Sequence, residues 1–302
     1  MIHTKAPTFV VFCLAVIFLA SGCAATNKIA KDITGKGGRL KTKVAFLPTS
    51  NKVGSAGEVF EKSARAYFKD FVERSCDHLI IMDSQETRDL LADIPRLPSG
   101  QIDNLALAKL GRALGLNVVL EEGISELECV AYKRGIWGFR STRTFAELSV
   151  SLRGYDIESG AVLFEEAVRD EVEISERECE DVRGRNGHHT QLADPLLAKI
   201  IHELGEKGSE LVGDQLWKGY IISASGHTFT LTAGADVGLA EGDVLDVFAM
   251  GEPVKGHAGQ SYLVSGPKIG ELKITRVYGN RAEATGDLAS DLQEISHVKL
   301  KQ

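Results

Sequence analysis

Thiol groups are the side chains of this 302-residue sequence with the most evident chemistry. A cysteine thiol can carry an acyl chain, pair in a disulfide or bind a transition metal. Which of these applies depends on the neighbouring residues and on the compartment of the protein. The chain has five cysteines, which are Cys13, Cys23, Cys76, Cys129 and Cys179.

Cys23 follows a segment with the pattern of an export signal. Lys5 supplies a positive charge, residues 9–19 are an uninterrupted apolar run, and the small residues Ala20, Ser21 and Gly22 precede the cysteine. The segment resembles the signal of bacterial lipoproteins, in which this cysteine is diacylated and becomes the first mature residue. The usual leucine three positions before the cysteine is replaced by an alanine. An ordinary signal peptide with Cys23 free and an N-terminal membrane anchor are the alternatives.

The lipoprotein resemblance implies a membrane anchor and a place in the cell. Residues 1–22 would be the signal peptide, and an acyl anchor on Cys23 would add about 0.8 kcal/mol of membrane affinity per buried methylene. Ala24 and Ala25, with no aspartate after the cysteine, imply the outer membrane with the protein facing the periplasm. Residues 23–42 are predicted to be a flexible, lipid-anchored tether.

Composition indicates a folded protein without a nucleic-acid partner. Charged residues make up 25% of the chain and hydrophobic residues 43%, which is typical of a chain that buries a core. The formal net charge is −7, whereas binding of nucleic acid needs a basic face. In an oxidising compartment, Cys76, Cys129 and Cys179 allow at most one internal disulfide.

Residues 43–214 are predicted to form a mixed α/β domain. Apolar or alternating strands are predicted at 44–47, 79–82, 117–132, 146–152 and 162–174. Helices are predicted at 57–74 and 103–114, and Asp194 and Pro195 predict the start of a long closing helix. The initial strand–helix alternation favours parallel pairing. A change in the parity of the apolar residues near Ser125 predicts a bulge.

Three motifs of this domain carry a family resemblance: KVAFLP at 43–48, LAKLGRALG at 107–115 and YDIESG at 155–160. They resemble the domain shared by curli secretion-channel lipoproteins and the N-terminal domain of the translocation protein TolB. The resemblance implies a periplasmic domain used in envelope assemblies. Curli-channel subunits also insert two long β-hairpins into the outer membrane. Here the matching segments, 126–147 and 165–180, are rich in charged residues, and since Arg or Lys near the bilayer midplane costs about 2–4 kcal/mol, we expect a relative without the pore.

Residues 215–302 are predicted to form a small all-β barrel. Short strands separated by glycine turns are predicted at 220–222, 229–233, 244–248, 268–277 and 281–285. The sequences TLTAG at 230–234, GLAEGD at 238–243 and IGEL at 269–272 resemble the C-terminal domain of flagellar assembly protein T and related lipoproteins. The expected fold class is therefore α+β, with a mixed-sheet domain followed by a small barrel.

Signals for catalysis or metal binding are weak. His202 and Glu203 lack the second histidine of a zinc-protease helix, and the sequence has neither a Gly-x-Ser-x-Gly elbow nor a phosphate-binding glycine loop. Side chains suited to a transition metal occur on one predicted loop: Glu178, Cys179, Asp181, His188 and His189. Neighbours on an irregular loop seldom converge on one ion. We expect no metal, no cofactor and no enzymatic activity.

The predicted sheet brings two cysteines to one end. Cys129 lies towards the end of one strand, and Cys179 lies just past the end of the strand two further on, which runs in the same direction. Cys76 precedes a strand and falls at the opposite edge. Cys129–Cys179 is therefore the preferred disulfide, with the absence of a disulfide as the alternative.

Ile136, Trp137 and Phe139, with Gly135 and Gly138 beside them, lie on a loop at the same edge. They are candidate anchors for a partner, and packing over the sheet edge is the alternative. These features predict a non-enzymatic lipoprotein that acts as an assembly or scaffold factor for an envelope or surface structure. Its expected partners are the membrane, envelope proteins and copies of itself. A ligand- or glycan-binding module of the envelope is the alternative function.

Overall fold

Two large β-sheets, a small two-stranded sheet and the helices make up the α+β fold of the described residues in a computed structural model. The structure describes residues 40–48, 50–51, 57–125, 127–136, 138–184, 189–257, 259–288 and 295–301. These ranges belong to one compact unit, Leu40–Gln302. The predicted signal peptide, Cys23 and residues 24–39 of the predicted tether lie outside the described residues.

The elements fall into a helix-covered first sheet and an antiparallel second part. The helices are α1 (Gly57–Ser75), α2 (Gln85–Ala92), α3 (Asn104–Leu114), α4 (Glu176–Arg183) and α5 (His189–Gly213). The first sheet has β1 (Thr42–Phe46), β2 (Ser50–Asn51), β3 (Leu79–Ile81), β4 (Val118–Ile124), β5 (Glu128–Arg134), β6 (Ser141–Asp156) and β7 (Val162–Ile174). The second part has β8 (Ile221–Ser225), β9 (Thr228–Leu231), β10 (Val244–Met250), β11 (Val254–Lys255), β12 (Ser261–Tyr262), β13 (Ser265–Val277), β14 (Ala282–Thr285) and β15 (Ile295–Leu300).

The start of the first sheet is parallel, as the strand–helix alternation predicts. β1 lies between β3 and β4 and is parallel to both. Its side chains alternate between two covered faces: Val44 and Phe46 pack with α1 and α5, whereas Ala45 and Leu47 pack with α2 and α3. Because both faces are covered, this strand reads as a continuous apolar run. None of the helices among the described residues is long and apolar enough to cross a bilayer.

The long strands of the first sheet meet along β6. β4 and β5 pair one after the other with the same edge of β6, and the register passes from Ile124–Val150 to Glu128–Glu147. One extra residue on the first strand confirms the bulge predicted near Ser125. β7 pairs with the opposite edge of β6. β6 begins earlier than predicted, at Ser141, because its first residues pair with β5 in a hairpin that carries too few apolar residues for an alternating pattern.

Two helices differ from the prediction. α4 occupies part of the predicted loop after β7, where the Ser175 side chain caps the helix and the Glu178 carboxylate accepts from the Ser175 backbone N–H. α5 begins at His189 instead of Asp194, and Pro195 lies inside the helix. Asp194 does not act as the predicted cap: its carboxylate accepts a hydrogen bond of 2.6 Å from the hydroxyl of Tyr67 on α1.

The second sheet is antiparallel, with the strand order β15-β10-β13-β14-β9-β8. Gly219, just before β8, exchanges two backbone hydrogen bonds of 2.9 Å with Val298 of β15. The sheet therefore curls around its core, in which Leu231, Leu245 and Leu272 are fully buried. Among the described strands the two edges meet only at this bridge, so no closed barrel forms. β15, which was not predicted, completes the sheet.

The segment before β1 belongs to the folded unit. Leu40, assigned by sequence to the tether, is 6% exposed and packs in the core of the second sheet. The backbone N–H of Lys41 donates to the carbonyl of Val237 at 2.8 Å. The folded part thus includes residues 40–42, which the predicted tether boundary left out. The predicted boundary after residue 214 falls just past the end of α5.

Candidate functional site

The β5–β6 hairpin carries the residues that the sequence marks as candidate partner anchors. β5 pairs with β6 from Glu128–Glu147 out to Arg134–Ser141, whereas the pairing of β7 with β6 stops at Thr144. The outermost three pairs of the hairpin have no third strand beside them in the described part of the sheet. At about 3.3 Å per residue, the paired part of the hairpin extends roughly 10 Å past the end of β7.

The tip of the hairpin is a tight turn with exposed apolar side chains. The backbone N–H of Phe139 donates to the carbonyl of Ile136 at 2.9 Å. Gly135 and Gly138 have φ angles of +129° and +92°, which other residues rarely adopt. The side chains of Ile136 and Phe139 are 83% and 89% exposed, so these two residues do not pack over the sheet edge. Trp137 lies outside the described residues.

The hairpin is basic in an acidic chain. Residues 129–146 contain no aspartate or glutamate, although the chain has a formal net charge of −7. The cations of this segment are Lys133, Arg134, Arg140 and Arg143. The hairpin is therefore positively charged, whereas the chain as a whole is negatively charged.

Two of these cations form ion pairs with β7, and the other two form none in the described structure. Arg134 forms an ion pair with Glu171, and Arg143 Nη1 lies 3.1 Å from Glu173 Oε2, which braces the hairpin against β7. The other two, Lys133 and Arg140, are exposed and form no ion pair within the ranges that the structure describes. Their charge is available to a partner.

A disulfide fixes the base of the hairpin. The structure brings Cys129 and Cys179 together as a bonded pair with Cα atoms 5.6 Å apart, within the range of native disulfides. Cys129 lies opposite Ala146 in the hairpin, and Cys179 lies on α4, next to the buried Val182. Cys179 is on a helix instead of the predicted loop. Cys76 is a buried free thiol.

A polar groove of about 300 Å³ lies on the face of the first sheet that includes the odd-numbered residues of β6. Its floor has small residues, among them Ser149 and Ser151. On its wall, the Glu121 carboxylate accepts from the hydroxyl of Tyr155 at 2.9 Å and lies 3.4 Å from Arg153 Nη1. Hydroxyl, carboxylate and guanidinium groups can bind a hydroxyl-rich ligand.

A cluster of buried charged side chains lies between the two sheets. Lys218 Nζ is 3.0 Å from Asp156 Oδ1 and also contacts Glu158, and His297 Nδ1 is 3.3 Å from Glu158 Oε1. All four side chains are at most 12% exposed. Burial raises the pKa of both carboxyls, but Lys218, together with hydrogen bonds from Ser159 at Asp156 and with His297 and Lys299 at Glu158, outweighs it and leaves each pKa below its ordinary value. Burial lowers the pKa of His297 to about 4, although Glu158 opposes the shift.

This buried cluster joins the two sheets. Asp156 ends β6 and Glu158 lies in the turn that follows, whereas Lys218 and His297 come from the second part of the chain. Both carboxylates lie in the YDIESG motif at 155–160, which carries part of the family resemblance. In the structure this motif supplies both carboxylates of the buried cluster.

Two of the residues considered for metal binding lie partly or wholly outside the described part of the chain, and a third forms a disulfide. Cys179 is bonded to Cys129, His188 lies outside the described residues, and so does the side chain of His189. In the part of the chain that the structure describes, no group of three or more His, Cys, Asp or Glu side chains could hold a metal ion. His202 is exposed and lies 3.8 Å from its helix neighbour Glu206.

No protein-family model matches the chain, and no curated protein matches it. Among solved structures, the chain is similar to the hypothetical protein CT253 from Chlamydia trachomatis, with 14% identity and a TM-score of 0.38 over 58% of this chain and 99% of that one. It is similar to lipoprotein GNA1162 from Neisseria meningitidis, with 12% identity and a TM-score of 0.30 over 51% and 99%. It is also similar to the PelC dodecamer from Paraburkholderia phytofirmans, with 16% identity and a TM-score of 0.31 over 60% and 94%. The similar structures thus include a bacterial lipoprotein and an oligomer, but similarity at this level carries no argument about function.

Proposed function

We propose that this protein is a lipid-anchored, non-enzymatic component of the bacterial envelope that acts as an assembly or scaffold factor. The observation that carries the proposal is the β5–β6 hairpin, which presents two almost fully exposed apolar side chains, Ile136 and Phe139, on a projecting tip. Exposed apolar groups at a fixed position are typical of binding anchors. The hairpin is therefore the docking element.

A disulfide and two ion pairs fix the base of the hairpin to its neighbours. The Cys129–Cys179 bond ties β5 to α4, and Arg134 and Arg143 tie the two strands to β7. An anchor that is held in its bound position loses less conformational entropy when a partner binds. The rigid base and the exposed tip together favour docking over a purely structural role.

The place of the protein in the cell follows from the sequence around Cys23. Acylation of this cysteine would hold the mature chain at the outer membrane, facing the periplasm, with residues 24–39 between the anchor and the folded unit. The motifs at 43–48, 107–115 and 155–160, and those of the second sheet, favour a curli-like or flagellar-type assembly. Loss of fibres or of flagella from cells that lack the protein would identify which of these two assemblies the protein serves.

Binding of an envelope ligand or glycan is a second candidate function, and the groove beside Glu121 and Arg153 favours it. The groove has hydroxyl and charged groups but opens widely, and its arginine already pairs with Glu165 at 2.7 Å. A ligand would have to compete for these paired groups. Titration calorimetry with envelope glycans, using Ser151→Trp to fill the groove, tests this function separately from docking.

Photo-cross-linking in intact cells tests the docking role. A photoreactive residue is placed at Phe139, and the matched control is placed at Val254, which is 55% exposed on β11. We expect position 139, and not position 254, to form adducts with a defined envelope component. Equal adducts at the two positions, or none at 139, would contradict the docking role.

A further inference from the structure

The hairpin tip combines exposed apolar side chains with two cations that form no ion pair in the described part of the chain, and this combination favours one kind of partner. The inference rests on the proposed docking role of the hairpin. We propose that the tip docks onto a bilayer surface that carries anionic headgroups, with Ile136 and Phe139 entering the interface and Lys133 and Arg140 contacting the headgroups.

The apolar side chains of the tip form a convex surface. Ile136 and Phe139 are the first and last residues of the turn, and their side chains are 83% and 89% exposed. A protein partner would need a cavity that fits this convex pair, whereas a lipid interface adapts to it. Burial of aliphatic and aromatic groups at the boundary of the acyl chains is the usual source of interfacial binding.

The charged residues beside the tip favour contact with an anionic membrane. A chain of net charge −7 is repelled by an anionic membrane unless its cations are concentrated at the contact. The 129–146 segment provides this concentration, because it has four cations and no acidic residue. Lys133 and Arg140 are exposed without an ion pair in the described structure, so no carboxylate has to be displaced.

The dimensions of the hairpin limit the depth of insertion. Pairing ends at Arg134–Ser141, so only the turn residues 135–140 extend beyond the paired strands. A strand that spans a bilayer needs about 9–11 residues, and the cations beside the turn oppose deeper entry. The hairpin therefore reaches the interface and does not cross it.

A membrane contact of this kind complements the predicted acyl anchor. The diacylated Cys23 would provide stable attachment by itself, since two buried acyl chains hold a protein on a membrane. Contact at the hairpin would also orient the folded unit, because the disulfide fixes the base of the hairpin to α4. A lipid anchor on a flexible tether limits the distance of the folded unit from the membrane but does not fix the orientation of that unit.

Vesicle flotation of the mature chain with Cys23→Ser tests the proposal, since this change removes the acyl anchor. The probes are vesicles of phosphatidylcholine alone and of phosphatidylcholine with phosphatidylglycerol at about two to one. We expect flotation with the anionic vesicles that weakens steeply between about 0.1 M and about 1 M salt. Absence of binding to the anionic vesicles would overturn the proposal.

Two surface variants separate the apolar and the charged contributions. Ile136→Ser/Phe139→Ser should lower the vesicle partition coefficient by about tenfold or more. Lys133→Glu/Arg140→Glu should lower it on anionic vesicles by at least tenfold, because each basic residue near such a surface contributes roughly a factor of five. The matched controls are Ile222→Ser/Val254→Ser and Lys62→Glu/Lys69→Glu, which change exposed residues elsewhere. Equal losses in variants and controls would contradict the proposal.

Tryptophan emission gives a readout that a change in overall charge cannot mimic. The chain has two tryptophans; Trp217 is 7% exposed in the core of the second sheet, whereas Trp137 follows Ile136 in the sequence. We expect anionic vesicles to shift the emission to shorter wavelength, and we expect the shift to be lost in Trp137→Phe. A shift that persists in this variant would mean that the chain binds vesicles elsewhere.

The vesicle and cell experiments distinguish failure of this proposal from failure of the docking role. Adducts from position 139 to a protein, without vesicle binding, would overturn the lipid proposal and leave the docking role standing. Absence of both adducts and vesicle binding would overturn both. Adducts to lipid, together with tip-dependent vesicle binding, are the result that we expect.

Discussion

His297 shows how one buried side chain makes the stability of this fold sensitive to acid. Its ring is fully buried, stacks on Phe248 with centroids 4.9 Å apart and lies 3.3 Å from a carboxylate oxygen of Glu158. Burial keeps its pKa at about 4, below the ordinary value of 6.5. The native state therefore holds this histidine neutral over a range of pH in which the unfolded chain binds a proton.

The sign of the pH dependence follows from that difference. The stabilisation is complete above about pH 6.5 and is lost as the pH falls towards 4, by about 3 kcal/mol in total. We expect the urea midpoint to fall between pH 6.5 and 4.5, and we expect this slope to be reduced in His297→Gln. His202→Gln, at an exposed site, should keep the slope. An unchanged slope in His297→Gln would show that other groups cause it.

The sequence predicts the turn at the hairpin tip and the disulfide better than the buried charged cluster between the sheets. The glycines beside Ile136 and Phe139 are local signals of a turn, and strand order was enough to choose Cys129–Cys179. By contrast, Asp156 and Glu158 meet Lys218 and His297 from distant parts of the chain. No spacing in the sequence indicates such an encounter, because it depends on how the two sheets pack.

At the scale of elements, the disulfide links the hairpin to α4. Cys129 and Cys179 are 50 positions apart, and closing a loop of this length stabilises the fold by about 4 kcal/mol in the chain-entropy model. We expect Cys129→Ala/Cys179→Ala to lower the free energy of unfolding by about this amount in guanidinium titrations. Single and double variants should agree, because either change breaks the bond. A double variant as stable as the oxidised parent would contradict this role.

Some elements could be predicted from local signals and others could not. The parallel strands, the bulge and the helix that ends at Gly115 follow from apolar patterns and a glycine cap. The Ser175–Glu178 capping box was present in the sequence and would have predicted α4. The start of β6 and the early start of α5 could not be predicted, since hairpin pairing and packing override weak local preferences there.

At the scale of the whole molecule, buried polar contacts hold the two sheets as one unit. Lys43 of β1 is 2% exposed, and its Nζ lies 2.7 Å from Asp236 Oδ2 and 2.9 Å from the carbonyl of Thr232. The side chain of Asn117 donates to the carbonyl of Lys218 at 2.6 Å. These contacts, with the buried cluster around Lys218, explain why the chain from Leu40 onwards is one compact unit.

Close contact between the sheets can be tested with a matched pair of glycines. Gly115 and Gly100 have similar φ angles of +72° and +82°. A Cβ at Gly115 would lie 2.6 Å from Thr232 Cβ, whereas one at Gly100 would have no atom within 4 Å. We expect Gly100→Ala to cost about 1 kcal/mol for backbone strain and Gly115→Ala about 2–4 kcal/mol. Equal losses in thermal unfolding would contradict close packing at this junction.

The proposed function depends on an acyl anchor at Cys23 that holds the protein at a membrane. The most direct measurement is intact-mass and N-terminal peptide mass spectrometry of the protein recovered from cell membranes. We predict a mature chain that begins at Cys23 and carries a thioether-linked diacylglycerol. A mature chain that begins elsewhere and carries no added hydrocarbon would contradict the account.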